Sequence, residues 1–165
     1  MPTRTRQSVP GLLVAVLSLF ICGSSAAQTI TVGTISGARG ASVWFDVTLN
    51  PQWKSIAGTQ NEISFNAVNT PVVTCLVEPG HGKSLSYARL PTGCGTGTCS
   101  KVRALILSTS DATALPSSVL YRCRIDIPSN ATPGAYALTV QNPSGSDTDG
   151  NIKAVSGISG QITVF

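Results

Sequence analysis

Apolar and polar residues alternate along most of this chain with a period of two, and Thr, Val and Ile fill the alternating runs between clusters of Gly, Pro, Asn and Ser. Ile30 and Val32 alternate with Thr29 and Thr31 in a first strand, and Gly33 to Gly40 reads as a turn. In the next strand Val43, Phe45, Val47 and Leu49 share one face while Ser42, Trp44, Asp46 and Thr48 share the other. Asn50-Pro51 ends it, since proline cannot donate to a ladder. Ile63, Phe65 and Ala67 repeat the inward pattern, and a strand from Val72 to Val77 closes at Pro79-Gly80. His81 to Ser100 reads as loop with at most a short strand near Leu85 to Leu90. Val102 to Leu107 resumes the sheet, Ser108 to Ser118 is a polar connection, and Val119, Tyr121, Cys123, Ile125 and Ile127 form the longest clean alternation. Tyr136, Leu138 and Val140, then Ile162 and Val164, complete the series. About nine strands without helical periodicity predict an all-β chain folded as a two-sheet β-sandwich of jelly-roll-like form.

The first segment does not belong to that pattern. Arg4 and Arg6 precede an apolar run from Gly11 to Cys22 and the small residues Gly23 to Ala27, the layout of a secretory signal peptide cleaved after Ala27. The run is short for a membrane span, which needs about 20 residues. Residues 1–27 are therefore read as a signal peptide and 28–165 as one exported domain, free of the membrane after cleavage. Losing Arg4 and Arg6 also removes two positive charges from a formal total of +4. What remains is too thin a basic footprint for nucleic acid.

Export changes the reading of the cysteines. Of five in the sequence, Cys22 leaves with the leader, so Cys75, Cys94, Cys99 and Cys123 remain. An even number in an oxidising compartment points to disulfides. Cys94-Gly95-Thr96-Gly97-Thr98-Cys99 encloses a flexible turn that favours a local bridge, leaving Cys75 for Cys123. A zinc site would show tight pairs around both ends, and Cys75 and Cys123 have no such neighbours, so no metal and no cofactor is expected.

Three motifs suggest chemistry and fail on spacing. Gly80-His81-Gly82-Lys83-Ser84 resembles the tail of a phosphate-binding loop, yet Val77 stands where the first glycine belongs and no helix follows. Asp147-Thr148-Asp149-Gly150-Asn151-Ile152 resembles part of a calcium loop, but Gly145 and Ser156 occupy the end positions that need carboxylates; a hairpin turn accounts for the same residues. Asp46, Glu62, Glu78, Asp111, Asp126, Asp147 and Asp149 show no spacing that builds the facing pair of a glycosidase. The chain is not expected to be an enzyme.

Two features suit binding. Trp44, on an otherwise polar strand face, and Trp53, in the loop Pro51-Gln52-Trp53-Lys54, are candidates for stacking against sugar rings. Lys101 and Arg103 alternate outward on one strand and Arg122 and Arg124 on another. Were those strands neighbours, the four cations would form one surface able to steer an acidic protein partner.

The opening Ile30-Thr31-Val32-Gly33, the strand Ser42 to Leu49, Asn61-Glu62-Ile63-Ser64-Phe65-Asn66, and more tightly Ile125 to Pro128, Ala131 to Tyr136, Asp147 to Ile152 and Gly160 to Val164, resemble the strands and turns of cohesin domains. The resemblance implies a secreted, non-catalytic module that recognises a dockerin-like protein in extracellular polysaccharide degradation, or a relative that contacts polysaccharide directly. This chain departs from the family in its four cysteines.

Overall fold

The structure, a computed structural model, describes residues 27–52 and 54–165. The proposed leader up to Ala26 and Trp53 lie outside the described residues. Among the described residues there are twelve strands: β1 (Thr29–Val32), β2 (Ile35–Gly37), β3 (Ser42–Asn50), β4 (Gly58–Ser64), β5 (Val72–Val77), β6 (Ser84–Leu90), β7 (Lys101–Leu107), β8 (Ser118–Asp126), β9 (Gly134–Ser146), β10 (Ile152–Ala154), β11 (Ser156–Ile158) and β12 (Gly160–Val164). They form two sheets. The smaller runs β11-β1-β3-β8-β5; the larger runs β2-β12-β9-β4-β7-β6, with β10 paired to β9.

This is the expected two-sheet, all-β architecture, with more strands than alternation reveals. β2, β10 and β11 have three residues each, too few to show a period. β2 lies inside what reads as a turn, and β6 gives a full seven-residue strand to a stretch that reads mostly as loop.

The inward faces meet in a core containing Ile30, Val47 and Ile125 from the smaller sheet and Ile63, Ile106, Leu138 and Ile162 from the larger. Leu120 and Tyr121 are adjacent in sequence and both buried. A bulge explains this: Val47 pairs with Tyr121 and Thr48 with Val119, so Leu120 has no partner and the strand turns over locally. Between β11 and β12 the chain changes sheets at Gly160, where an added Cβ would collide with the carbonyl oxygens of Val32 and Gly33, so only glycine permits the crossing.

One polar pair spans the core. Tyr121 projects from the smaller sheet, and its hydroxyl lies 2.8 Å from Nδ2 and 3.0 Å from Oδ1 of Asn61, on the larger sheet. Burial pushes the Tyr121 phenol above its ordinary range, although the Asn61 bond pulls the other way. The Tyr121→Phe variant keeps the ring but strands the Asn61 amide in an apolar interior. It should lose about 1–3 kcal/mol, read as a lower urea midpoint at unchanged slope; an unchanged midpoint would show that the pair contributes nothing.

Cys75 and Cys123 form a disulfide at directly opposed positions of β5 and β8, so the bridge ties two strands of one sheet rather than the two sheets together. Cys94 and Cys99 form the second, closing the turn between β6 and β7.

Candidate functional site

Strand order corrects the expectation of one four-cation surface. Lys101 and Arg103 lie on β7 in the larger sheet; Arg122 and Arg124 lie on β8 in the smaller. Alternation sends both pairs away from the core, and in a two-layer fold that means opposite sides of the molecule.

On the outer face of the smaller sheet, Arg122 and Arg124 both have acidic partners. Arg122 donates to Glu78 at 2.8 Å and approaches Asp46 at 3.8 Å. Arg124 pairs with Asp126 at 3.0 Å, and the Ser42 hydroxyl donates to the same carboxylate at 2.7 Å. Trp44 stands directly across from Arg124 and is 38% exposed.

The larger sheet's outer face is different in kind. Register places Ser86, Ala88 and Leu90 of β6 beside Leu105, Arg103 and Lys101 of β7, which face Gln60, Glu62 and Ser64 of β4, which in turn face Ser144, Gln141 and Thr139 of β9. Short side chains (Ser86, Ala88, Ser64, Ser144, Thr139) are interspersed with Leu90, Leu105 and the longer polar Lys101, Arg103, Gln60, Glu62 and Gln141. Across the centre of this face runs one ionic cluster. Glu62 Oε1 accepts from Arg103 Nε at 2.8 Å and from Arg103 Nη2, while Oε2 receives Lys101 Nζ at 3.0 Å and Asn142 Nδ2 at 3.3 Å. The Glu62 side chain is 4% exposed and that of Arg103 is 53% exposed. With two cations on one carboxylate, the cluster presents a single net positive charge at a fixed place.

A bulge builds the fourth contact. Gln60 pairs with Ser144 and Glu62 with Gln141, so Asn142 and Pro143 together oppose Asn61. Asn142 takes a φ of 48°, a left-handed conformation that asparagine tolerates better than most residues. Proline, which breaks a ladder elsewhere, is accommodated at such a bulge.

Beside this cluster the same face holds an apolar depression of about 270 Å³ lined by Leu105, Leu107 and Ile152 over a floor that includes Gly58 and Gly145. Neither glycine could carry a Cβ freely: at Gly58 it would lie 3.1 Å from the Ser146 hydroxyl, and at Gly145 3.1 Å from Val155.

The Arg103 and Lys101 bonds hold the Glu62 carboxyl below its ordinary value of 4.5, against the opposing effect of burial. A lowered folded-state value means stability that is complete above the unfolded carboxyl's pKa and is lost as pH falls through the folded one. Urea midpoints should therefore stay level from neutrality to about pH 4.5 and fall below it. Glu62→Gln should flatten part of that acid limb while leaving the contributions of Asp111 and Asp147, whose carboxyls are also held low by hydrogen bonds to Thr113 and Lys153 respectively. An acid limb identical in the two proteins would refute the assignment.

The remaining sequence motifs are structural. His81 Nε2 lies 2.8 Å from the Val119 carbonyl, and Lys83 donates to the Asp111 carbonyl at 2.6 Å, so His81 ties the β5–β6 loop to the start of β8 and Lys83 ties it to the β7–β8 connection. Asp147 Oδ1 accepts from the backbone N–H groups of Asp149 and Asn151 while Oδ2 pairs with Lys153 at 2.7 Å. Its oxygens are committed to a turn. Among the described residues, no group of three or more His, Cys, Asp or Glu converges as a metal site would require.

No protein-family model matches the sequence, and no curated protein does either. Among solved structures, the chain is similar to cohesins. The OlpA cohesin of Clostridium thermocellum, solved in a type I cohesin–dockerin complex with Doc918, matches with a TM-score of 0.71 over 85% of this chain and 100% of that one, at 15% identity. A non-cellulosomal cohesin from the hyperthermophilic archaeon Archaeoglobus fulgidus matches at 0.66 over 85% and 92%, at 18% identity. CaCohA2 from Clostridium acetobutylicum matches at 0.63 over 84% and 92%, at 22% identity. The chain has the cohesin fold.

Proposed function

We propose that this chain is an exported, non-catalytic binding module that captures a dockerin-like protein in an extracellular polysaccharide-degradation setting, through the outer face of β6, β7, β4 and β9. The observation that carries the reading is the combination on one face of an apolar depression and a clamped, partly exposed cation. The depression offers burial for an aliphatic or aromatic anchor, and Arg103 offers a fixed point for a partner's carboxylate or carbonyl; a few such anchors, arginine prominent among them, carry most of the energy of protein interfaces. Support for the class of partner comes from structural neighbours solved in complexes with dockerins. Support for export comes from the leader-like residues 1–27, with cleavage after Ala27, and from two disulfides that an oxidising compartment would preserve. Lys101 and Arg103 thus remain partner-binding candidates, while Arg122 and Arg124 are assigned to the far side. Calorimetric titration of the mature protein with dockerin modules tests this: saturable one-to-one binding is expected, and a panel from the source organism that gives no heat would overturn it.

Trp44 supports a second reading. Its ring is partly exposed in a polar setting that includes Ser42, Arg124 and Asp126, side chains able to hydrogen-bond sugar hydroxyls. Retention on insoluble polysaccharide that is lost in Trp44→Ala, or in Trp53→Ala, would favour direct carbohydrate binding.

A further inference from the structure

Gln28 precedes β1 and continues its inward alternation with Ile30 and Val32. The residue is 3% exposed, and its carbonyl accepts from the Ser156 N–H at 2.8 Å. Its side-chain Nε2 is buried without a hydrogen-bond partner. An orphaned buried amide is destabilising, and an aliphatic side chain in this row would avoid the loss. A buried polar group of this kind calls for an explanation, and the sequence supplies one: cleavage after Ala27 makes Gln28 the new amino terminus.

We infer that the mature chain begins with pyroglutamate formed from Gln28. The freed α-amine attacks the side-chain Cδ, the Cδ–Nε2 bond breaks, and one proton passes from the α-nitrogen to the leaving group, which departs as ammonia. A five-membered lactam remains; no oxidant, reductant or other reagent is consumed. Nucleophile and electrophile belong to one residue, so proximity is supplied by covalent structure. This inference rests on the cleavage site proposed above.

Each consequence suits the site. The unpaired Nε2 is the atom that leaves. The α-ammonium that cleavage would otherwise place at the margin of the core becomes a neutral amide, removing a charge whose burial is unfavourable without a partner. The residue 28 carbonyl is untouched and still accepts from Ser156. An exported protein also gains a terminus closed to ordinary aminopeptidases.

The test is intact mass and amino-terminal sequencing of protein expressed from the full sequence in a secreting host and taken directly from the exported fraction. The expected mass is that of residues 28–165 with two disulfides, less one ammonia. Sequencing should be blocked until the denatured chain is treated with pyroglutamyl aminopeptidase, after which it should begin at Thr29. The Gln28→Ala variant should sequence without treatment. A free, full-mass Gln28 would overturn the lactam and leave the cleavage site standing, whereas a chain beginning at any other residue would overturn both.

Discussion

Replacing both halves of the inter-strand bridge, Cys75→Ala with Cys123→Ala, is expected to lower stability by about 2–4 kcal/mol and the thermal midpoint by on the order of 10 °C. The bridge joins residues 48 apart in sequence, so cutting it returns a long loop's worth of freedom to the unfolded chain. It also removes two buried sulfurs from the face where β5 and β8 meet the core, where they are 3% and 0% exposed. By the same loop argument Cys94→Ala with Cys99→Ala, across a separation of 5, should cost about 2 kcal/mol less. Differential scanning calorimetry of the two double variants orders them. Equal midpoints would mean that the bridges act through local packing and not through the unfolded chain.

Alternation made the inward faces readable wherever a strand was long enough to show it. Phe45, Val47 and Leu49 in β3, Val102 and Ile106 in β7, and Cys123 and Ile125 in β8 are all buried where a period of two puts them. Strand membership was a different matter. A pattern that says which side of a strand faces inward does not say which sheet the strand joins, and for that reason Arg103 and Arg124, both outward, could be imagined together. Pairing is set by contacts far apart in sequence: β4 meets β7 and β9, and β3 meets β8. No local signal carries that information.

The Glu62 cluster was hidden for the same cause. Glu62, Arg103 and Asn142 lie 41 and 80 positions apart in their two contacts, and Glu62 on its own is one carboxylate among seven acidic residues. One local cue did exist. Asn142-Pro143 interrupts an otherwise regular strand, and an asparagine that tolerates a left-handed backbone beside a proline is a bulge signature. Bulges re-aim side chains, and this one turns an amide onto the carboxylate that orders the face.

From that ordering follows the sharpest expectation for binding. Arg103 already spends part of its guanidinium on Glu62, so its orientation is fixed before a partner arrives and little side-chain entropy remains to be lost. Arg103→Ala should weaken binding of the proposed dockerin-like partner by roughly 30-fold, about 2 kcal/mol, the scale of an interface hot spot. Lys101 and Asn142 stay behind to hold Glu62, so the fold should survive. Ile152→Lys is an independent probe. Ile152 is 86% exposed, makes little packing contribution, and rims the apolar depression, so a charge there should cost affinity with no loss of thermal stability. Arg122→Ala and Arg124→Ala, on the outer face of the smaller sheet, should shift affinity by less than about 3-fold, the range of charges outside an interface. Titration calorimetry on the four variants decides between the two sides of the sandwich. If the smaller-sheet variants lose binding and Arg103→Ala and Ile152→Lys do not, the partner docks on the side that carries Trp44.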